Sequence, residues 1–391
     1  MFEIPFQGRA HEYLDTEVDA AVLAMRDAVP LTQGRHLREF EEKFRRYVGV
    51  NRAFAVNNAT AALEIAARLC QLESGDEVII PAHTYTSSAY PFLRSGARPM
   101  WADIDSDTRV ISVNTIAPLI GSKTRAIVVS HLYGFGADMP EIMALADQHG
   151  LIVIEDAAQA MGVRINGQVA GTFGHMGVYS FHSHKNMTTL GEGGMLVVRE
   201  PQWADLVPII RHNGHRPYAE VRSDYWIPAM TDVVLPELNG QQIWPMNCCL
   251  GEVESAVGVK LIDRVDRINS EKRIRAISII DALADYPEMV FHREMSDRHN
   301  YHLLAAQLKR DLRDNFIRRM AEHHGIQCVV QYYPLNRYPL YRDLGFGDAT
   351  VPNTDAFFDN MVSLPFNHLL TEIQIEKIIA ASIETLQFLR R

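Results

Sequence analysis

The chain has 391 residues and a mass of 44.2 kDa, and at roughly 150 residues per domain this length predicts two domains. Hydrophobic residues make up 47% and charged residues 22% of the sequence, so a large core can form and extensive disorder is excluded. The net charge of −10 argues against a nucleic-acid-binding surface, but it leaves room for a local basic pocket.

The sequence carries no pattern typical of secretion or membrane insertion. The N-terminal residues MFEIPFQGRAHEY lack the basic start and apolar run of a signal peptide, and no apolar run approaches the roughly 20 residues of a membrane span. The four cysteines, Cys70, Cys248, Cys249 and Cys328, cannot form a disulfide framework, and free thiols are typical of a reducing cytoplasm. We therefore expect a soluble, cytoplasmic protein.

Short apolar runs that end in small or polar residues fill the first half of the chain. Such runs, without alternation, predict strands that are covered on both faces. They lie at residues 53–58, 77–82, 98–103, 126–131, 151–156, 177–182 and 194–199. Helical patterns at 60–72 and 138–150 lie between them, the second with Asp138 and Glu141 at capping-box spacing. This alternation predicts an α/β domain with a mainly parallel sheet that is flanked by helices.

The pattern changes after residue 200. Residues 200–246 are rich in Pro, Trp, Asn and Gly and predict long loops. Beyond them the sequence predicts long helices and a shorter strand, at residues 249–286, 311–325 and 371–389 for the helices and 326–333 for the strand. We therefore expect a large α/β domain over residues 1–245 and a smaller α+β domain over residues 246–391.

Ligands of such sheets bind beyond the carboxyl ends of the strands, so the polar residues there are the first candidates for a site. The run at 151–156 ends in Asp156, and a carboxylate so close to a buried strand needs a partner. For an isolated aspartate, a helix cap or an ion pair is the commoner explanation.

A lysine follows the run at 177–182. Ser180 lies within that run, and Lys185 comes just beyond it. A lysine so near an apolar strand can lose its proton when desolvated and then form a Schiff base, although an isolated one is more often a surface residue. His182 and His184 lie beside it, but no third ligand stands at a recognisable spacing, so we predict no metal site.

A strand that runs into a helix supplies a third candidate. Ala59 and Thr60 stand at the predicted helix start, where free N–H groups and a hydroxyl suit a phosphate group. An ordinary N-cap by Asn58 or Thr60 would look the same in the sequence. Tyr85, after another strand, has the position of an aromatic platform or of an ordinary half-buried tyrosine.

Together these features match the needs of pyridoxal 5'-phosphate (PLP). This cofactor requires a phosphate cradle, a carboxylate for its pyridinium nitrogen and a lysine for its aldehyde. The sequence offers the three in that order, each at the end of a different predicted strand. The residues alone therefore predict a PLP site.

The motifs also resemble those of a known family. The segments NNATAALEIA, GDEVIIPAHTYTSSA, EDAAQA, YSFHSHKN and GEGG, in this order, are similar to those of the DegT/StrS family of PLP-dependent sugar aminotransferases. The resemblance extends from about residue 10 to about residue 385. It implies the aspartate-aminotransferase (type I) fold, with a large PLP-binding domain and a small C-terminal domain.

The resemblance also implies a role for each matching residue. Lys185 would form the internal aldimine, and Asp156 would pair with the pyridinium nitrogen. Gln159 would lie close to the ring and Tyr85 would stack on it. Three residues would bind the phosphate from their own chain, namely Ala59, Thr60 and Ser180. Asn247 would reach the phosphate from the neighbouring subunit of a homodimer with shared active sites.

Three positions depart from the family pattern. Cys249 stands where the family usually has an arginine, and Gln331 and Asn336 replace two histidines. These departures bear on the identity of the substrate more than on PLP binding. Arg211 and His215 are candidates for contacts with a nucleotide diphosphate.

The expected reaction moves an amino group from an amino acid, with glutamate expected, to a nucleotide-linked deoxy-keto-sugar. Three alternatives stay open: amination of a non-sugar or cyclitol ketone, a PLP-dependent sugar dehydratase, and a non-catalytic regulatory homologue. Relatives with dehydratase chemistry have histidine in place of the Schiff-base lysine, so Lys185 favours the aminotransferase.

Overall fold

A computed structural model of the chain describes residues 2–6, 11–216 and 232–390. Residues 217–231, a part of the predicted loop stretch, lie outside these described residues. The α-helices are α1 (Asp15–Asp27), α2 (Arg35–Val48), α3 (Ala59–Leu69), α4 (Tyr90–Leu93), α5 (Val113–Ile116), α6 (Met139–His149), α7 (Pro201–Ala204), α8 (Val207–Ile210), α9 (Glu252–Leu261), α10 (Val265–Ala282), α11 (Arg313–His324), α12 (Pro339–Asp343), α13 (Pro352–Asn360) and α14 (Glu372–Leu389).

The strands are β1 (Ala53–Val56), β2 (Glu77–Pro81), β3 (Arg98–Ala102), β4 (Thr124–Ser130), β5 (Ile152–Asp156), β6 (Arg164–Ile165), β7 (Gln168–Val169), β8 (Met176–Ser180), β9 (Gly194–Val198), β10 (His215–Arg216), β11 (Asp232–Val233), β12 (Glu237–Leu238), β13 (Gln241–Gln242), β14 (Met289–Phe291), β15 (Leu304–Leu308) and β16 (Met361–Leu364). All seven apolar runs of the first half are strands, as the sequence predicted.

Those seven strands form one mixed sheet in the order β1-β9-β8-β5-β4-β2-β3. Neighbouring strands in the series β8-β5-β4-β2-β3 are parallel to each other. Strand β9 runs antiparallel to both of its neighbours, β1 and β8. Helices cover the sheet, and its central strands are buried along almost their whole length. The predicted α/β class with a mainly parallel sheet is confirmed.

The ladder register brings the polar ends of the strands to one edge. Ser130 of β4 pairs with Asp156 of β5, so both strands end at the same level. At that edge Gly194, the first residue of antiparallel β9, lies opposite both Ser180 and Val56. The predicted candidates on three separate strands therefore meet at the carboxyl edge of the sheet.

Two of the predicted helices begin and end close to where the sequence placed them. Helix α6 ends at His149, and Gly150 follows with a φ of 64°, the left-handed conformation that glycine adopts at low cost. The predicted capping box at Asp138 is wrong, because its side chain makes no hydrogen bond to the helix start. Asp138 instead lies 3.9 Å from Arg298.

The C-terminal segment forms a second hydrophobic core around the three-stranded sheet β14-β15-β16 and helices α10, α11 and α14. The helix predicted at 249–286 is broken into α9 and α10 by a 3₁₀ turn at Ile262–Arg264. The strand predicted at 326–333 is wrong, because this segment makes only isolated bridges at Ile326 and Val329. None of the helices in the described residues is long and apolar enough to span a membrane.

We retain the division into two domains near residue 246 as a proposal. The separate C-terminal core supports it. Helix α9, however, packs on α1 and α2 and contributes Val257 and Leu261 to the core of the large sheet. The small domain proposed from residue 246 therefore includes a helix that also packs on the large domain.

Candidate active site

A cavity of about 650 Å³ lies at the carboxyl edge of the large sheet, between this sheet and the C-terminal segment. It brings together seven of the candidate residues that the sequence singled out. They are Ala59, Thr60, Tyr85, Asp156, Gln159, Ser180 and Lys185. Asn247, the remaining candidate, does not line the cavity of its own chain.

The start of α3 forms an anion cradle at one end of this cavity. The Asn58 side chain caps the helix by accepting a hydrogen bond from Ala61 N at 2.9 Å. This cap leaves the N–H groups of Ala59 and Thr60 without a hydrogen-bond partner in the described part of the chain. The capping interpretation of this turn is therefore confirmed for Asn58. Phosphate binding by Ala59 and Thr60 stays a prediction, and their N–H groups are free for it in the described residues.

Glycine allows the backbone to approach closely at this cradle. A Cβ atom on Gly194 would lie 2.7 Å from Ala59 N and 2.5 Å from the carbonyl carbon of Asn58. Ser180, on the neighbouring strand, is buried and lines the cavity, and Thr60 Oγ1 lies 3.0 Å from Ser87 Oγ. Free N–H groups at a helix start with hydroxyls nearby are the donors that a phosphate group requires.

Asp156 ends β5 with its carboxylate facing the cavity. Its Oδ2 accepts a hydrogen bond from Ser88 Oγ at 2.5 Å, and its Oδ1 accepts one from Ala158 N at 3.1 Å. Ser88 is held in turn by Thr84, which donates to Ser130. No basic side chain of the described residues lies within ion-pair distance of Asp156, so the simple ion-pair explanation does not apply.

The neighbouring Glu155 fixes the strand end from the opposite face. Its side chain is fully buried, and its oxygens accept hydrogen bonds at 2.6–2.9 Å from the His131 ring and from N–H groups within residues 171–174. Such a fully hydrogen-bonded carboxylate is rigid. It therefore positions Asp156, although the sequence pattern did not single it out.

Lys185 lies across the cavity in the turn after β8. Burial lowers the pKa of its amine from 10.5 to about 8, and the negative charge of Asp156 partly opposes this shift. An amine with such a pKa is partly unprotonated at neutral pH and can act as a nucleophile. The predicted reactive lysine and the predicted carboxylate therefore act on each other.

Gln159 is held between two tyrosines. Its Oε1 accepts a hydrogen bond from Tyr133 N at 2.7 Å, and its Nε2 donates to the Tyr332 hydroxyl at 3.1 Å. The ring of Tyr85 is 55% exposed and meets Tyr332 edge-on at a centroid distance of 6.0 Å. An exposed ring at the mouth of the cavity can stack on a planar ligand.

Asn247 is exposed on the surface of the chain, where its backbone forms an isolated antiparallel β-bridge with His212. The thiol of nearby Cys249 makes a contact within the same chain: its Sγ lies 3.4 Å from the carbonyl oxygen of Arg211. Arg211 itself is buried, and it donates to Ala55 O at 2.7 Å and pairs with Glu41. It is therefore not available to a nucleotide diphosphate, and this expectation from the sequence was wrong.

The two other departures from the family pattern lie in different places. Gln331 lines the cavity, next to Tyr332. Asn336 is buried beside a separate surface depression that Arg337 and Arg342 also line. Of these two departures, Gln331 is the one placed to affect a ligand in the cavity.

The C-terminal segment contributes residues that sequence reasoning missed. Lys272, His302 and His368 line the cavity and are buried, and Phe6 of the N-terminal segment also lines it. Lys272 stands in a highly charged helix, where the pattern is typical of a surface lysine. Only the tertiary packing of α10 turns it inward.

Comparison with known proteins places this geometry in context. The model of the DegT/DnrJ/EryC1/StrS aminotransferase family matches residues 12–382. A GDP-perosamine synthase of Caulobacter vibrioides is 31% identical over 388 residues, which cover 97% of this chain and 98% of that protein. A dTDP-3-amino-3,4,6-trideoxy-alpha-D-glucose transaminase of Streptomyces venezuelae is 29% identical over 374 residues, or 95% and 93% of the two chains.

A solved structure is similar over the same length. An aminotransferase from Psychrobacter cryohalolentis is 26% identical, with a TM-score of 0.88 over 98% of this chain and 100% of that one. The similarity therefore includes both the large sheet and the C-terminal segment.

Proposed function

The chain belongs to the DegT/DnrJ/EryC1/StrS aminotransferase family, and from this we propose that it transfers an amino group from an amino acid to a ketone carbon of a nucleotide-linked sugar. One observation carries the proposal. Lys185, Asp156 and the free start of α3 surround a single cavity.

The residues present fit PLP, the cofactor of this family. The N–H groups of Ala59 and Thr60, with the hydroxyl of Ser180, would hold its phosphate, and Asp156 would hold the proton on its ring nitrogen. When bound, the cofactor supplies an electron sink that stabilises negative charge on the carbon that loses or gains the amino group. Lys185 would hold the cofactor covalently until a donor amine replaces it.

Lys185 has a second task after its release. Its amine, with a pKa of about 8, can both accept and donate a proton near neutral pH. It would remove the proton from the α-carbon of the donor and return one during amination of the ketone. Gln159 and Tyr332, which are hydrogen-bonded to each other, would line the site beside it.

The relatives support a nucleotide-linked sugar as the acceptor. Their names include a GDP-linked and a dTDP-linked amino sugar, so they leave the nucleotide of this chain undecided. Gln331 lines the cavity and replaces a histidine of the family pattern. A non-sugar or cyclitol ketone therefore remains the alternative acceptor.

A substrate panel tests the proposal. Purified holoenzyme is incubated with glutamate or glutamine and with GDP-, dTDP- and UDP-linked keto-sugars or amino-cyclitol ketones, and products are identified by mass spectrometry. We expect replacement of a ketone oxygen by an amino group in at least one nucleotide sugar. Loss of water without gain of nitrogen would instead indicate the dehydratase, and no reaction with any pair would favour the non-catalytic homologue.

The active unit is proposed to be a homodimer. Helix α1 and the loop after it expose a group of apolar side chains, Val18, Val22, Leu23, Met25, Val29 and Leu31. This surface is tied to the segment that carries Asn247, because Glu252 N donates to Leu31 O at 3.1 Å. A second copy of the chain covering this surface would bury the apolar residues and bring Asn247 towards the partner's phosphate cradle.

Mixing of inactive variants tests whether the sites are shared. Lys185→Ala chains are combined with Asn247→Ala chains, and subunit exchange is verified by native mass spectrometry. A heterodimer would contain one site with both intact residues and one site that lacks both. Activity should therefore rise above that of either parent, provided that Asn247→Ala alone is impaired. No rise after demonstrated exchange would mean that Asn247 does not act across the dimer.

We also propose that the protein acts in the cytoplasm. All four cysteines are free thiols, which is typical of proteins in a reducing compartment. Fractionation of the source cells with a periplasmic marker tests this proposal, and recovery of the activity with that marker would contradict it.

A further inference from the structure

Lys272 is a buried cation without an anionic partner in the described residues. Its side chain is 4% exposed, and its Nζ donates to Asn186 Oδ1 at 2.8 Å and to His302 O at 3.0 Å. Both acceptors are neutral, and the ring of Phe366 lies 5.4 Å away. Burial of an ammonium group is costly unless an opposite charge compensates it. The chain therefore holds a lysine whose charge lacks compensation within the described structure.

Among the described residues, the surroundings of Lys272 offer further hydrogen-bond donors and no acidic side chain. His302 and His368 are buried beside it, and each has a ring nitrogen without a hydrogen-bond partner in the described residues. Burial lowers the pKa of His368 to about 3 and that of His302 well below its ordinary value, so both rings are neutral and each carries one N–H group. Together with Asn186 and Asn367, which also line the cavity, these three residues are called the Lys272 cluster.

The Lys272 cluster faces the reactive lysine. It lines the same cavity as Lys185. Burial, with a further contribution from the charge of Lys185, lowers the pKa of Lys272 to about 7. The acidic side chains of the cavity, Asp156 and Glu192, come from the sheet edge instead. Outside the phosphate cradle, an anionic group that enters the cavity is therefore attracted to the cluster rather than to Asp156 or Glu192.

We propose that the Lys272 cluster binds a carboxylate group of the amino donor. This inference rests on the proposed aminotransferase function, because only an amino-acid substrate brings a carboxylate to this place. The carboxylate would pair with Lys272 and accept hydrogen bonds from the neutral histidines and Asn367. It would thereby compensate the buried charge and hold the donor amine towards Lys185.

Binding of an inert dicarboxylate tests the subsite without turnover. Glutarate, which has no amine to react, is titrated into wild-type holoenzyme and into Lys272→Met holoenzyme by isothermal titration calorimetry. Lys309→Met, the same substitution of an exposed lysine, is the matched control. We expect about 10- to 100-fold weaker binding in Lys272→Met alone, the size of a lost charge-assisted hydrogen bond. Equal affinities, or no measurable binding to the wild type, would overturn the proposal.

A second measurement uses the wild-type protein and so does not depend on how well the variant folds. Glutarate is compared with glutaramate and with the neutral diamide of glutaric acid. The diamide should bind about tenfold or more weakly than glutarate, since it carries no charge for Lys272. Equal binding of the diacid and the diamide would contradict a carboxylate subsite.

The choice of amino donor distinguishes the two carboxylates of glutamate. Glutamine keeps only the α-carboxylate, and 4-aminobutyrate keeps only the distal one. If the cluster binds the α-carboxylate, Lys272→Met should raise the KM of glutamate and glutamine equally. If it binds the distal carboxylate, glutamine should be unaffected while glutamate and 4-aminobutyrate are impaired. Unchanged KM values for all three donors would refute the subsite.

Failure of this inference can be told apart from failure of the proposed function. If the Lys272→Met enzyme binds glutarate with wild-type affinity and has a wild-type KM for the donor, the proposed subsite is refuted. The aminotransferase function would then still stand, because the variant is active. Conversely, if the wild-type holoenzyme binds glutarate at Lys272 but reacts with no amino donor, the proposed aminotransferase function is refuted.

Discussion

The two ends of the cavity are built differently. At the sheet edge, Asp156 and Ser180 end parallel strands, and their positions are fixed by ladder register and by the buried networks of Ser88 and Glu155. At the other end, the Lys272 cluster comes from a helix and from irregular segments, and it retains unpaired nitrogen atoms. A site fixed by strand register suits a ligand that stays, and a site built from a helix and irregular segments suits ligands that exchange. We therefore propose that the first end holds the cofactor and the second receives the substrates.

The largest effect should come from removing the amine between these two ends. Lys185→Ala should lower turnover by at least about 1000-fold, because both covalent attachment of the cofactor and proton transfer depend on Nζ. Steady-state kinetics measure the loss, and exposed Lys309→Ala is the control. Substantial turnover in Lys185→Ala would mean that another amine does the chemistry.

Removal of charge at the sheet edge should have the next largest effect. Asp156→Asn should lower kcat by about 100-fold, because a neutral side chain no longer holds the proton on the ring nitrogen. Circular dichroism should show that the fold persists, and exposed Asp205→Asn should be fully active. A near-normal kcat in Asp156→Asn would show that this carboxylate is only structural.

The pH dependence of cofactor loading should report the pKa of Lys185. Since burial places this pKa at about 8, the unprotonated fraction of the amine rises about tenfold per pH unit below pH 8 and levels off above it. The rate at which apoenzyme attaches PLP, followed by absorbance, should rise in the same way. A rate that keeps rising to pH 10 would indicate an ordinary lysine.

A smaller effect should follow from weakening the support of Asp156. Ser88→Ala removes the hydrogen bond at 2.5 Å to Oδ2 and should lower kcat by about tenfold, with the fold intact. Exposed Ser122→Ala serves as the control. An unchanged kcat would show that Ala158 N and the register of β5 alone position the carboxylate.

The difference between the two ends of the cavity also explains which site residues could be predicted from the sequence. Fully buried strands have a distinctive pattern, and parallel register carries their ends to one edge, so Asp156, Ser180 and Ala59 could be placed together in advance. Lys272 could not, because a charged helix such as α10 has the same pattern whether a given lysine faces water or a cavity. The strand predicted at 326–333 failed for a related reason, since its apolar residues pack as an irregular segment.

We propose above all that Lys185 carries the cofactor at the sheet edge. Holoenzyme is treated with borohydride, digested and mapped by tandem mass spectrometry. We predict that the reduced cofactor is found on the peptide that contains Lys185, and that Lys272 is unlabelled. Label on Lys272 or on any other lysine in place of Lys185, or no label at saturating PLP, would contradict the account.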